Sequence, residues 1–166
     1  IMRGCDKFCT FCIVPFTRGR ERSRSVESIR QEASGAVANG FVEVTLLGQN
    51  VNSYRHENRK FHHLLEEVAS VSGLKRIRYT SPHPQDVTEE LLSVMAAYPV
   101  ICNSIHLPLQ AGSNRILKRM NRTYSKEHFI ALADKIRAYL PEVGISTDII
   151  VGFPGEQAAD FQETLD

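Results

Sequence analysis

Four short β-type runs alternate with amphipathic helical patterns along almost the whole chain, and that alternation narrows its fold more than any other feature. The runs are Val42–Leu47, Lys75–Thr80, Ser104–Leu109 and Ile145–Val151. Between them Val26, Ile29, Ala33 and Val37 keep helical spacing, as do Leu64, Leu65, Val68 and Val71, then Val87, Leu91 and Met95, then Phe129, Leu132, Ala133, Ile136 and Leu140. Gly40, Gly73, Pro99 and the stretch Pro141–Gly144 punctuate helix ends, and Thr88-Glu89-Glu90 and Ser125-Lys126-Glu127 read as helix starts. Strand, helix, strand with short connections implies parallel strands joined by right-handed crossovers, an α/β class. A truncated strand ending near Arg3 brings the count to about five βα units.

The faces of the strands separate a doubly wound sheet from a barrel. Strands covered on both sides read as continuous apolar runs, whereas these alternate. Ser104, His106, Pro108 and Gln110 oppose Ile105, Leu107 and Leu109, and Ser146 and Asp148 oppose Ile145, Thr147, Ile149 and Val151. One face is expected to pack on helices and the other to line something polar, which fits an incomplete parallel (βα) barrel. Chemistry in such a barrel sits at the C-terminal strand ends. The cysteine loop, Gly48-Gln49-Asn50, Ser81-Pro82-His83, Gln110 and Gly152-Phe153-Pro154-Gly155 all fall there. Five strands leave an open edge where a sixth should pair.

A length of 166 residues suits one domain. With 42% hydrophobic and 23% charged residues, the chain has the means to bury a core, and disorder is disfavoured. No apolar run approaches the roughly 20 residues of a membrane span, and Ile1-Met2-Arg3-Gly4-Cys5 is no secretory signal. The expectation is a soluble, cytoplasmic protein without a membrane partner. The chain opens without an initiator methionine and ends inside a helical pattern that nothing stops, so it is expected to be a piece of a longer protein. The net charge of +1 does not argue for nucleic acid in bulk. Locally, however, the stretch from Arg3 to Arg24 carries six basic residues against two acidic ones.

That stretch also holds three of the four cysteines. Cys5, Cys9 and Cys12 form a C-x3-C-x2-C run, while Cys102 stands apart and reads as a buried small hydrophobe. Four thiolates close a 4Fe-4S cube; three leave one iron open to a small chelating ligand. The spacing suggests a cluster that performs chemistry. Two other readings stay open at this point: a structural zinc site with His83 or His106 as fourth ligand, and a redox pair at Cys9 and Cys12.

The C-x3-C-x-(aromatic)-C pattern, with Phe11 as the aromatic, at the end of the first strand of a βα repeat resembles the signature of the radical S-adenosylmethionine superfamily. Three further stretches resemble its methylthiotransferases: Cys12-Ile13-Val14-Pro15-Phe16-Thr17-Arg18-Gly19 through Arg24, Thr45–Tyr54, and Asp148–Glu156. Within them Gly48-Gln49-Asn50-Val51-Asn52-Ser53-Tyr54 is most similar to the tRNA branch that thiomethylates isopentenyladenosine beside the anticodon. The threonylcarbamoyladenosine and ribosomal-protein branches are the alternatives, and a non-catalytic, metal-stabilised RNA-binding module is a further one.

The resemblance implies that Cys5, Cys9 and Cys12 hold three irons of a 4Fe-4S cluster while S-adenosylmethionine chelates the fourth and is cleaved to a 5'-deoxyadenosyl radical. It implies that Phe11 lies near the adenine and that Gly48, Gln49 and Asn50 approach the methionyl amine, although Gln49 stands where the superfamily has glutamate. His106, Gln110, Asp148 and Gly152 are implied as ribose and adenine contacts, and Arg78 as a carboxylate contact. Arg18, Arg20, Arg22 and Arg24, read as an exposed loop, suit phosphates of a tRNA partner. An electron donor such as a flavodoxin or ferredoxin is implied too. So are an absent N-terminal domain with a second 4Fe-4S cluster and an absent RNA-binding C-terminal domain around this radical core (residues 1–166). Without its cluster the loop from Cys5 to about Arg24 loses its main tether and is expected to be mobile.

Overall fold

A computed structural model describes all 166 residues. Its first strand, β1 (Met2–Arg3), leads into the cysteine loop and a short helix α1 (Val14–Arg18); β2 (Arg22–Ser23) then precedes α2 (Val26–Ala38). The parallel units follow as β3 (Glu43–Leu46), a hairpin of β4 (Arg55–His56) and β5 (Arg59–Lys60), α3 (Phe61–Ala69), β6 (Arg76–Tyr79) and α4 (Glu89–Ala97). The last part comprises β7 (Ser104–His106), α5 (Asn114–Arg119), α6 (Lys126–Tyr139), β8 (Gly144–Ser146) and α7 (Ala158–Leu165).

Parallel pairing builds a curved wall. Glu43 to Leu46 pair in register with Arg76 to Tyr79, and Ser104 to His106 with Gly144 to Ser146. A bridge between Ile77 and Ile101 joins the two halves, and a bridge between Gln110 and Ile149 extends the second. The backbone N–H of Cys102 bonds the Ile77 carbonyl at this junction, and its side chain is half-buried rather than fully enclosed. β1 lies beside β3, tied by the Ile1 amine to the Leu47 carbonyl at 2.8 Å. The result is the open α/β barrel that the alternating faces imply.

The alternation follows from what each face meets. In β6, Ile77 and Tyr79 are buried while Arg76 and Arg78 are exposed. In β7, Ile105 is buried between Ser104 and a half-buried His106. The apolar faces join Leu64, Leu65, Leu92 and Ile136 from the helices in one core, with α2, α3, α4 and α6 packed in that order over the wall. Each such Leu or Ile, fully buried, contributes about 1.5–3 kcal/mol. The other face carries Glu43, Thr45, Arg78 and His106.

Two helix starts fall where the sequence puts them: the Thr88 hydroxyl accepts from Leu91 N and the Ser125 hydroxyl from His128 N. Two other expectations are corrected. The first strand is not a plain parallel member, because Met2 and Arg3 pair antiparallel with Ser23 and Arg22. For the same reason the stretch from Arg18 to Arg24 is not a free loop: Arg18 closes α1, and Arg22 lies in β2. Tyr54 pins its end by donating from its hydroxyl to the Arg24 carbonyl at 2.6 Å, and burial pushes that phenol up to about 12. The hairpin β4–β5 and helix α5 are elements that the hydrophobic pattern does not mark.

Candidate functional site

The cysteine loop leaves β1 through a tight crossing. Gly4 has φ +82°, and a Cβ there would lie 2.1 Å from the Arg20 carbonyl oxygen, so only glycine passes. Cys5 N bonds Gly19 O at 3.2 Å and Gly4 N donates to Gln49 Oε1 at 2.7 Å. Further along, Lys7 pairs with Asp86 at 2.9 Å and Arg20 with Asp6 at 2.9 Å. On the opposite flank the turn after α5 grips the loop. Thr10 N and its hydroxyl bond the carbonyls of Met120 and Arg119, Asn121 Nδ2 reaches the Phe8 carbonyl at 2.9 Å, and Arg122 donates to Cys9 Sγ at 3.2 Å. The loop therefore has protein tethers besides any metal.

Cys5, Cys9 and Cys12 are all half-buried. Burial pushes the Cys5 thiol up, and the nearby Glu21, Cys9 and Cys12 push the same way. No three Cys, His, Asp or Glu side chains converge as ligands of one ion. The donor set is three half-buried thiols on one loop, a chemistry suited to iron–sulfur ligation. The two histidines considered for zinc have other partners: His83 Nδ1 accepts from Gln85 N, and His106 sits between Ser146 and Asp148.

The turn after β3 is close to the loop. Gly48 faces Met2, whose Cγ would lie 2.6 Å from a Cβ there. Gln49 holds Gly4, as above. Asn50 is 2% exposed; its Nδ2 donates to Asp86 at 2.9 Å, and its Oδ1 is buried with no partner. His83 is buried under Tyr124 and clasped to Asn52 by two reciprocal bonds. Burial first, then the charges of Arg122 and Lys7, lower its pKa to about 3. Between the ordinary 6.5 and about 3 the unfolded chain takes a proton that the folded one refuses. Stability from His83 is thus complete above pH 6.5 and lost on acidification, at no more than about 1.4 kcal/mol per pH unit. His83→Gln is expected to flatten the acid limb of a melting-temperature profile; an unchanged limb would show that another group sets it.

On the polar face of the wall, His106 Nδ1 lies 3.0 Å from Ser146 Oγ and Nε2 3.1 Å from Asp148 Oδ2. Gln110 is buried at φ +73°, its backbone stitched to Asp148 and Ile150. Arg78 stands on this face but its Nε donates to Glu43 at 3.1 Å, a carboxylate shared with Arg76. Beyond β8, Glu156 Oε2 accepts from Gly152 N and Phe153 N, folding that loop so that Phe153 meets Phe11 edge to face, centroids 6.4 Å apart. Thr10, Phe11, Gly152, Phe153 and Arg119 line a cavity of about 540 Å3 there. The structure thus brings Phe11 to Gly152, His106 to Asp148, and Gln49 to the head of the cysteine loop.

The four arginines divide. Arg20 and Arg24 pair with Asp6 and with Glu32, the latter at 2.5 Å, while Arg18 and Arg22 are exposed and make no ion pair. Sequence reasoning missed Asn121, Arg122 and Tyr124, whose only local mark is an Asn, a residue that tolerates the left-handed φ of +56° seen at Asn121.

An open wall of parallel βα units with its polar loops at one end is shared with two solved structures. One is the apo, selenomethionine-labelled cobalamin-dependent S-adenosylmethionine radical enzyme OxsB, with TM-score 0.77, 17% identity, and coverage of 99% of this chain and 25% of that one. The other is the radical S-adenosylmethionine methyltransferase TsrM from Kitasatospora setae with cobalamin and 4Fe-4S cluster bound, with TM-score 0.77, 18% identity, and coverage of 98% and 32%. At those identities they speak for the fold. The profile of the Radical SAM superfamily matches residues 1–166, and the chain belongs to that superfamily. It is 54% identical to the tRNA-2-methylthio-N(6)-dimethylallyladenosine synthase of Carboxydothermus hydrogenoformans and 55% to that of Syntrophomonas wolfei, in each case over its whole length. It spans 38% of either relative. No helix is long and apolar enough to cross a membrane.

Proposed function

We propose that this chain is the radical-generating core of a tRNA methylthiotransferase that adds a methylthio group to isopentenyladenosine beside the anticodon. The observation that carries the reading is its 54–55% identity, over its own whole length, with relatives named tRNA-2-methylthio-N(6)-dimethylallyladenosine synthase. On this reading the core works in the cytoplasm, with tRNA as substrate and a flavodoxin- or ferredoxin-like electron donor. It is flanked in the complete enzyme by an N-terminal domain with a second 4Fe-4S cluster and a C-terminal RNA-binding domain.

Cys5, Cys9 and Cys12 would hold the 4Fe-4S cluster and leave one iron for the amine and carboxylate of S-adenosylmethionine. A cluster held there would supply one electron for reductive cleavage of the sulfonium bond. The protein's part is to hold and orient. Asn50, whose buried Oδ1 has no hydrogen-bond partner, would be the acceptor for the amine. Phe11, with Gly152 and Phe153 across the cavity, gives the adenine an apolar wall, and the His106–Asp148 pair gives the ribose hydroxyls polar partners. Arg18 and Arg22 are the cations free for phosphates.

Reconstituted with iron and sulfide and reduced by dithionite, the chain is expected to release 5'-deoxyadenosine from S-adenosylmethionine while leaving tRNA unmodified. Both are read by mass spectrometry. No release from an iron-loaded, reduced chain would overturn the radical reading; thiomethylated tRNA would overturn the need for flanking domains.

A further inference from the structure

Arg122 holds a position that nothing in the proposed function explains. Its guanidinium is fixed on three sides: Nε donates to the Tyr124 hydroxyl at 2.8 Å, Nη2 to the Pro108 carbonyl at 3.1 Å and Nη1 to Cys9 Sγ at 3.2 Å. The Tyr124 hydroxyl in turn donates to the carbonyls at the end of the wall, 2.8 Å from Pro108 O and 2.9 Å from Leu109 O. Two of the three anchors belong to rigid, half-buried structure, so the fork is set before any metal arrives. Two other cations of the loop are neutralised by carboxylates, Lys7 by Asp86 and Arg20 by Asp6. Arg122 has no carboxylate partner. Its charge is directed at one sulfur, and at only one of the three.

We propose that Arg122 is a positioning residue that raises the reduction potential of the cluster by fixing a cationic donor on Cys9 Sγ. This rests on the cluster reading above. Hydrogen bonds to the ligating sulfurs and charge close to them are the protein's main levers on such a potential. The reduced state carries one more negative charge, so a cation locked on a ligating sulfur favours it. A planar fork locked on three acceptors does this at a fixed geometry that a lysine ammonium would not reproduce.

The test is a redox titration of the reconstituted chain, with dithionite as the one-electron reductant and the electron paramagnetic signal as the readout, after an iron and sulfide assay. Arg122→Gln is expected to move the midpoint to more negative potential at wild-type iron content, and Arg122→Lys to move it less. Tyr124→Phe, which keeps the charge but frees Nε, is expected to move it in the same direction by a smaller step. It decides the matter alone if Arg122→Gln takes up no cluster. Iron-loaded variants with the wild-type midpoint would overturn the inference. A wild-type chain that takes up no iron and sulfide fails at the assay, before the titration, and overturns the cluster reading together with what rests on it.

Discussion

Replacing Gly4 with alanine is expected to destabilise the chain by about 3 kcal/mol or more. A left-handed backbone imposed on a residue with a side chain costs about 1–2 kcal/mol, and overpacking against a rigid neighbour about 1–3. Both apply at once, because φ is +82° and the new Cβ would meet the carbonyl groups of Arg20 and Gly19, the former at 2.1 Å. Those atoms are backbone and have no rotamer to escape into. Relief requires β1 and β2 to part, and with them the Gly4 bond to Gln49 that fixes where the cysteine loop begins. Urea unfolding of the two proteins measures the difference. A loss under 1 kcal/mol would mean the crossing is looser than the geometry requires.

Cys9→Ala is expected to reduce bound iron and sulfide to background and to abolish 5'-deoxyadenosine release, with little change in the fold. Two of three thiolates cannot hold the cube, so the loss is complete rather than graded. The fold survives because the loop keeps its bonds to Met120, Arg119 and Asn121, none of which involves the Cys9 side chain. Metal analysis together with far-ultraviolet circular dichroism separates the two effects. A variant that retained its full iron would show that Cys9 is not a ligand.

What the sequence reveals follows the range of the interactions involved. The cysteine spacing, the caps at Thr88 and Ser125 and the two-faced strands are local patterns, and each is legible within a few residues. Helix α5 escaped because six residues give less than two turns of periodicity, and its apolar pair Ile116 and Leu117 packs in a small cluster of its own. Pairing of Met2 and Arg3 with Ser23 and Arg22 involves only two residues on each side, too few to leave an alternating pattern. The grip of Asn121 and Arg122 on the cysteine loop spans 113 residues, and no local feature of that turn announces it. The chain of bonds from Asn50 through Asp86 to Lys7 is similarly non-local. Arg78 was legible as a residue of the polar face but not as Glu43's partner, since that depends on the parallel register of β3 and β6.

The most direct measurement is the iron and sulfide content of the anaerobically reconstituted chain, with its electron paramagnetic spectrum recorded before and after adding S-adenosylmethionine. About four irons per chain and a spectrum that changes on addition are expected, because three cysteines leave one iron free to take the cofactor. Zinc or no metal, and a spectrum indifferent to S-adenosylmethionine, would contradict a radical core at Cys5, Cys9 and Cys12.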